Sequence, residues 1–256
     1  MTKYEIPKNV LESKNRVLKY KIGDETVYVK KREYNKKHIG HFLQGILYKI
    51  TRNPMLIPTV LSKNENEVLF EVQKIKELKL NQINVPQILF LNEDYFVMSD
   101  TGESLKEYIK FNINKKDLYI EKAVRVLAEL HNKNFAHGGS QIRNFTIKNE
   151  VISLIDFEEK IPSRYIKDFQ RRDLLLFILS LEKAGFSPEI RKICKFYEEV
   201  SMNKNIYNEL EAFLLKFKWL YFLENPIFKN IKMKDVRDFI SIIEKIDGNH
   251  IKGEKI

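Results

Sequence analysis

The apolar residues of this chain change their spacing at Ser99-Asp100-Thr101-Gly102, and that change limits the folds open to it. Before it, strand-like runs dominate. Residues 16–21 and 26–32 are rich in β-branched and aromatic side chains and flank Ile22-Gly23-Asp24-Glu25, the pattern of a hairpin around a Gly-Asp turn. From Lys37, the residues Ile39, Phe42, Leu43, Ile46, Leu47 and Ile50 follow helical spacing until Arg52-Asn53-Pro54 ends the run. A second helix is expected over about 65–80, then two short strands over 85–91 and 95–98. After the change the chain reads as helical. Ser104 is placed to cap a short helix, and a long amphipathic helix over 116–133 carries Leu118, Ile120, Ala123, Val126, Leu127 and Leu130. One non-helical block interrupts, with strands over 145–147 and 151–155 around Asn149-Glu150, and helices resume from about 168 to about 246. The expectation is an α+β chain of two lobes: a small mixed lobe over 1–98, a connector over 99–103 and a larger helical lobe over 104–256.

Charge narrows the class of partner. Lys and Arg outnumber Asp and Glu 45 to 35, so the formal charge is +10, which favours nucleotide phosphates, nucleic acid or an acidic membrane surface without choosing among them. A single cysteine, Cys194, excludes an intramolecular disulfide and a zinc site built on paired cysteines. The first residues hold no apolar signal core, and the longest strongly apolar stretch, Leu174 to Leu181, is too short to span a bilayer, so a cytoplasmic location is expected. The nine glycines contain no G-x-G-x-x-G. Gly40 and Gly45 have Walker-A spacing, but Ile46 and Leu47 stand where Lys and Ser/Thr are required. His137-Gly138-Gly139 is like an esterase oxyanion loop, yet no G-x-S-x-G accompanies it. His38 and His41 share a helix face without a third ligand.

The chemistry-bearing residues concentrate in the non-helical block. It reads His137-Gly138-Gly139-Ser140-Gln141-Ile142-Arg143-Asn144, then, past the hairpin, Leu154-Ile155-Asp156-Phe157-Glu158. This order resembles the protein-kinase-like superfamily, whose catalytic loop ends in an Asn and whose next strand is followed by D-F-G or a relative. The helical run from Ala123 to Phe135 resembles the helix entering that loop. Arg172-Asp173 resembles the helix start whose Asp braces the loop backbone, with His137 as a further structural support. The resemblance spans about residues 26–180 and implies ATP and Mg²⁺ as cofactors, with Asn144 and Asp156 on adjacent strands as metal ligands. It also implies a phosphate-binding lysine paired with a glutamate. Lys30 at the end of VYVK fits the lysine, with Lys31 as the alternative, and Glu71 fits the glutamate. Residues 95–100, including Met98 and Asp100, would be the strand whose backbone reads adenine.

Two departures refine the resemblance. Residues 1–13 contain no glycine, so no Gly-rich phosphate lid precedes the hairpin. Lipopolysaccharide-core sugar kinases, which phosphorylate heptose or Kdo, share that lack, and the resemblance is closest to them. It implies a lipid-linked sugar or other anionic acceptor, reached at the inner face of the cytoplasmic membrane. Second, Gly139 stands where the catalytic Asp belongs. A general base contributes about 10²–10⁴-fold, so its loss does not by itself abolish transfer, and Glu158 is a candidate substitute. The rivals are a pseudokinase that binds nucleotide or a partner without transfer, and a small kinase-like ATPase of tRNA modification. The basic amphipathic segment over 36–52 either lies on anionic lipid or packs its stripe on the small lobe; its aromatic-flanked stripe fits a membrane better than nucleic acid.

Overall fold

Gly23-Asp24 turns the chain between β1 (Val17–Ile22) and β2 (Glu25–Lys31), the hairpin expected from the sequence. The computed structural model describes residues 3–32, 48–49, 52–58, 66–224 and 234–248. Strands β3 (Ile88–Leu91) and β4 (Tyr95–Ser99) complete an antiparallel sheet in the order β1-β2-β4-β3. The strand expected from residue 85 begins only at Ile88. Pro86 has no N–H to give a ladder, and Val85 is buried in the core.

Strand pleating sorts this sheet into two faces. Val27, Val29, Tyr95 and Val97 point to one side, where Ile6 and the short helix α1 (Lys8–Leu11) cover them. The Tyr95 hydroxyl accepts a hydrogen bond from the Ile6 amide at 3.0 Å. Tyr28, Phe96 and Met98 point to the other side and join the main core.

Helix α2 (Glu67–Leu80) lies against that second face. Asn66 caps it, its side chain accepting from the amides of Val68 and Leu69, and Val68, Val72, Ile75 and Leu78 are buried at helical spacing. The Asn66 amide group also donates to the Glu93 carbonyl in the β3–β4 turn. Beyond the helix, the Asn81 carbonyl accepts from Lys133 Nζ at 2.5 Å and the Asn84 carbonyl from the Leu154 amide at 2.9 Å.

A small second sheet, β5 (Glu103–Ser104), β6 (Phe145–Lys148) and β7 (Val151–Leu154), follows. Asn149 and Glu150, both at positive φ, make its two-residue turn. Thus the expected connector over 99–103 ends inside a strand. Gly102 is required there: at φ +95° a Cβ would lie 1.9 Å from the Ile147 carbonyl oxygen.

The rest is helical: α3 (Leu105–Phe111), α4 (Lys116–Asn132), α5 (Ile166–Lys183), α6 (Ile190–Val200), α7 (Ile206–Leu214) and α8 (Lys234–Asp247). Ser104 precedes α3, but its side chain makes no capping bond, against expectation. Ile120, Ala123, Leu127 and Leu130 of α4 are buried as expected, whereas Leu118 is exposed. The chain therefore is α+β, with an antiparallel-sheet N-terminal region and a helical C-terminal region, and one apolar cluster runs from α2 through Phe96 to α4 and α5. No described helix is long and apolar enough to cross a membrane. The helical stripe from Lys37, with His38 and His41, lies outside the described residues up to Leu47.

Cys194 on α6 has no exposed surface, and burial pushes its thiol up to about 12. Labelling by a thiol reagent at pH 8 is expected to follow opening of the C-terminal region, rising with denaturant. Rapid stoichiometric labelling of the native protein would contradict this packing.

Candidate functional site

The pleat that hides Val27 and Val29 on one face turns Lys30 to the other, where its ammonium is buried. There it meets Glu71 of α2, at 2.8 Å to Oε1 and 2.7 Å to Oε2. Glu71 lies four residues after Glu67 and points inward with Val68, Val72 and Ile75. Lys31, one residue on, faces the opposite way and donates to the carbonyls of Leu11 and Ser13. Alternation along one strand thus separates the two lysines between which the sequence left a choice.

Two more carboxylates arrive from the segment after β7. Asp156 Oδ1 lies 2.6 Å and Glu158 Oε1 2.7 Å from Lys30 Nζ. Between them Phe157 points the other way, fully buried and stacked on the His137 ring at 4.5 Å. Asp156 has φ +72°, a left-handed conformation that Asp tolerates better than most residues. Arg16, just before β1, completes the cluster. Its Nη1 is 2.5 Å from Glu158, its Nη2 is 3.1 Å from Glu67, and its Nε donates to the Lys31 carbonyl. Neither Arg16 nor Glu67 was singled out from the sequence. The available signal was the hairpin count, since pairing Ile22 with Glu25 brings Arg16 opposite Lys31.

The 137–144 loop lies beside this cluster and is gripped from α5. Asp173, wholly buried, accepts from the amides of His137 at 2.6 Å and Gly138 at 2.9 Å, and from the Ser140 hydroxyl at 3.2 Å. His131 Nε2 is 3.3 Å from Asp173, and its Nδ1 is 2.7 Å from the Tyr197 hydroxyl. This His131–Tyr197 extension has no sequence motif. His137 Nε2 pairs with the Ile155 carbonyl at 2.9 Å, and the Asn144 carbonyl accepts from the Ile155 amide at 3.0 Å, so the loop and the Asp156 segment are tied side by side. Asn144 donates its side-chain N–H to the Gly139 carbonyl at 2.7 Å, leaving its side-chain oxygen as an acceptor. Asn144 ends a short 3₁₀ turn before β6, and Asp156 lies two residues past β7. Both therefore flank the strands on which the sequence reading set them.

The other two expected contact residues have mixed placement. Met98 is mid-strand in β4, which is paired along both edges, by Tyr28 on one side and Ile88 on the other. Main chain open to a ligand therefore begins past Ser99. The Asp100 carboxylate accepts from the Gly102 amide and Lys148, and its carbonyl accepts from Lys148 at 3.3 Å.

Electrostatics explains why the cluster is possible. Burial works against the charge on Lys30, but Glu71, Asp156 and Glu158 outweigh it and hold the ammonium charged well above the usual lysine range. Burial, with Asp156 and Glu158 nearby, pushes Glu71 up. Burial works against Arg16 too, and Glu158 again outweighs it. Burial lowers His137, which favours its neutral ring. Oxygens of Glu71, Asp156 and Glu158 lie within 4.8 Å of one another, a hard-oxygen donor set that suits a divalent cation of the Mg²⁺ type. Lys30 now sits among those oxygens, so a cation there would share the carboxylates with it.

Asp173→Ala strands two buried amides at once, while the Ser140 hydroxyl keeps its bond to the main-chain carbonyl of residue 173. It is expected to cost about 3 kcal/mol or more of stability without any ligand, since each buried unsatisfied donor costs about 1–3 kcal/mol. Asp173→Asn, which keeps one acceptor, should lose less. Equal urea midpoints for wild type and Asp173→Ala would refute the bracing role.

No protein-family model matches the chain. Among curated proteins it is similar to an uncharacterized protein of Haemophilus influenzae, at 30% identity over 174 residues, covering 65% of this chain and 71% of that protein. An identity of that extent over most of both chains reflects common descent, and the chain belongs to the same family as this Haemophilus influenzae protein.

Proposed function

We propose that this chain has a two-lobed, protein-kinase-like fold and is an ATP- and Mg²⁺-dependent phosphotransferase. The observation that carries the reading is the buried Lys30 ammonium, in contact with Glu71 at 2.7 Å and Asp156 at 2.6 Å. Three segments far apart in sequence contribute these groups, and no apolar core needs a charge at its centre; a charge-rich pocket beside a gripped loop is a site for an anionic substrate. In this reading Lys30 holds nucleotide phosphates, Glu71 fixes its direction, and Asp156 with Asn144 holds the metal. Bound Mg²⁺ would neutralise charge on the transferring phosphoryl group. Asp173 and His137 keep the loop and the Asp156 segment in register, and main chain past Ser99 meets the base.

The proposed acceptor is a sugar of a lipid-linked glycan such as lipopolysaccharide core, approached at the cytoplasmic membrane face. Support comes from the sequence resemblance, the absence of glycine from residues 1–13 and the formal charge of +10. Gly139 bears on the chemistry. A Cβ there would meet only the Asn144 side-chain nitrogen, at 3.9 Å, so the glycine leaves room at the loop rather than avoiding a clash. Glu158, the candidate substitute base, is held by Arg16 and Lys30. In this reading positioning and charge stabilisation carry the transfer. The same Gly139 favours the second reading, a pseudokinase that binds nucleotide without transfer.

Asp156→Ala is expected to fold, because Lys30 keeps two other carboxylates, but to lose the Mg²⁺-dependent part of the thermal shift given by ATP. A full Mg²⁺-dependent shift in that variant would remove Asp156 as a ligand. For transfer, phosphate incorporation into a rough lipopolysaccharide extract is compared between wild type and Gly139→Asp. Wild type should transfer, and Gly139→Asp should fit sterically yet give no faster turnover, because it adds negative charge beside an already acidic site. Binding of ATP with no incorporation in either form would favour the pseudokinase.

A further inference from the structure

Glu158 is anchored as a ligand would be. Its Oε1 lies 2.7 Å from the Lys30 ammonium and 2.5 Å from the Arg16 guanidinium, and its side chain is 14% exposed. One oxyanion between an ammonium and a guanidinium is the arrangement that receives a phosphate oxygen. Arg16 is fixed before any ligand arrives. Nε is tied to the Lys31 carbonyl and Nη2 to Glu67, which aims Nη1 at the position Glu158 fills. A guanidinium held in this way loses little conformational freedom on binding an anion.

Glu158 is also costly where it is. Among the described residues, the carboxylates of Glu67, Glu71, Asp156 and Glu158 crowd around Lys30 and Arg16, and oxygens of Glu71, Asp156 and Glu158 lie within 4.8 Å of one another. Departure of one acid relieves like-charge repulsion. Glu158 lies in the irregular segment 155–162, beyond the buried anchor Phe157, so its carboxylate can leave without breaking a strand or uncovering the core.

We propose that Lys30 and Arg16 form a phosphate seat, and that Glu158 is an internal anion occupying it until a phosphate group displaces it. Arg16 thereby supplies a phosphate contact from a side chain placed just before β1. The proposal rests on the phosphotransferase reading for the ligand being a nucleoside triphosphate.

The test uses inorganic tripolyphosphate in metal-free buffer, with binding measured by calorimetry on the full chain and folding checked by circular dichroism. Glu158→Gln should bind about tenfold tighter than wild type, because the competing anion is gone, and Arg16→Gln about tenfold weaker, the scale of one charge-assisted hydrogen bond. The double variant should lose most of the Glu158→Gln gain, and Arg16→Lys should fall between wild type and Arg16→Gln. A Glu158→Gln affinity no tighter than wild type, or no tripolyphosphate binding by any folded variant, overturns the seat. Parallel titrations with Mg·ATP separate the two readings. Tripolyphosphate binding that follows both residues in a chain that does not bind Mg·ATP retains the seat and rejects the phosphotransferase. Mg·ATP-dependent transfer in a chain whose tripolyphosphate binding ignores both residues rejects the seat alone.

Discussion

An ammonium group removed from water has to be surrounded by negative charge, and the N-terminal region is arranged around that requirement at Lys30. Desolvating it would cost several kcal/mol without partners. Three carboxylates supply the compensation, one from α2 and two from the segment after β7. The ion cluster is therefore also a seam. It joins the sheet, the helix on its face and the C-terminal region at a point where apolar packing alone would not fix their register. The apolar cluster that runs through all three gives adhesion, and the charges give direction.

A second buried network does the same for the 137–144 loop. Its first residues have no ladder to satisfy their amides, so Asp173 takes two of them, and Tyr197 and His131 hold Asp173 from behind. Gly138, at φ +89°, passes so near residue 159 that a Cβ would lie 2.4 Å from the Glu159 Cβ. The Gly138 backbone of the loop is thus packed directly against the Glu159 side chain of the acidic segment. Charge placed on one is felt on the other.

Much of this was legible in the sequence, for identifiable reasons. The β1–β2 hairpin, α2, α4 and the β6–β7 hairpin follow from period and turn chemistry, and each appears within a few residues of expectation. The resemblance to the protein-kinase-like order pointed to Lys30, Glu71, Asn144, Asp156 and Asp173, because that reading relied on an ordered series rather than on any one residue. What stayed hidden is what depends on facing. Lys30 and Lys31 differ by half a pleat, which composition cannot resolve. Leu118 fits the helical stripe but is exposed, and Ser104 precedes a helix without capping it. Arg16 and Tyr197 act through tertiary contacts with residues far away in the chain, and no local pattern marks them.

The ties at the two ends of α2 have a mechanical consequence. Its N-terminal cap residue is fastened to the β3–β4 turn, while the residues beyond its C-terminus are fastened to β7 and Lys133. A helix pinned at both ends to different bodies behaves as a strut rather than as a lever. It can roll about its own axis but cannot swing out from one end without breaking a hydrogen bond at the other. Rolling carries Glu71 towards or away from Lys30 while leaving the helix in place, so any control over that ion pair is exerted as torque on α2.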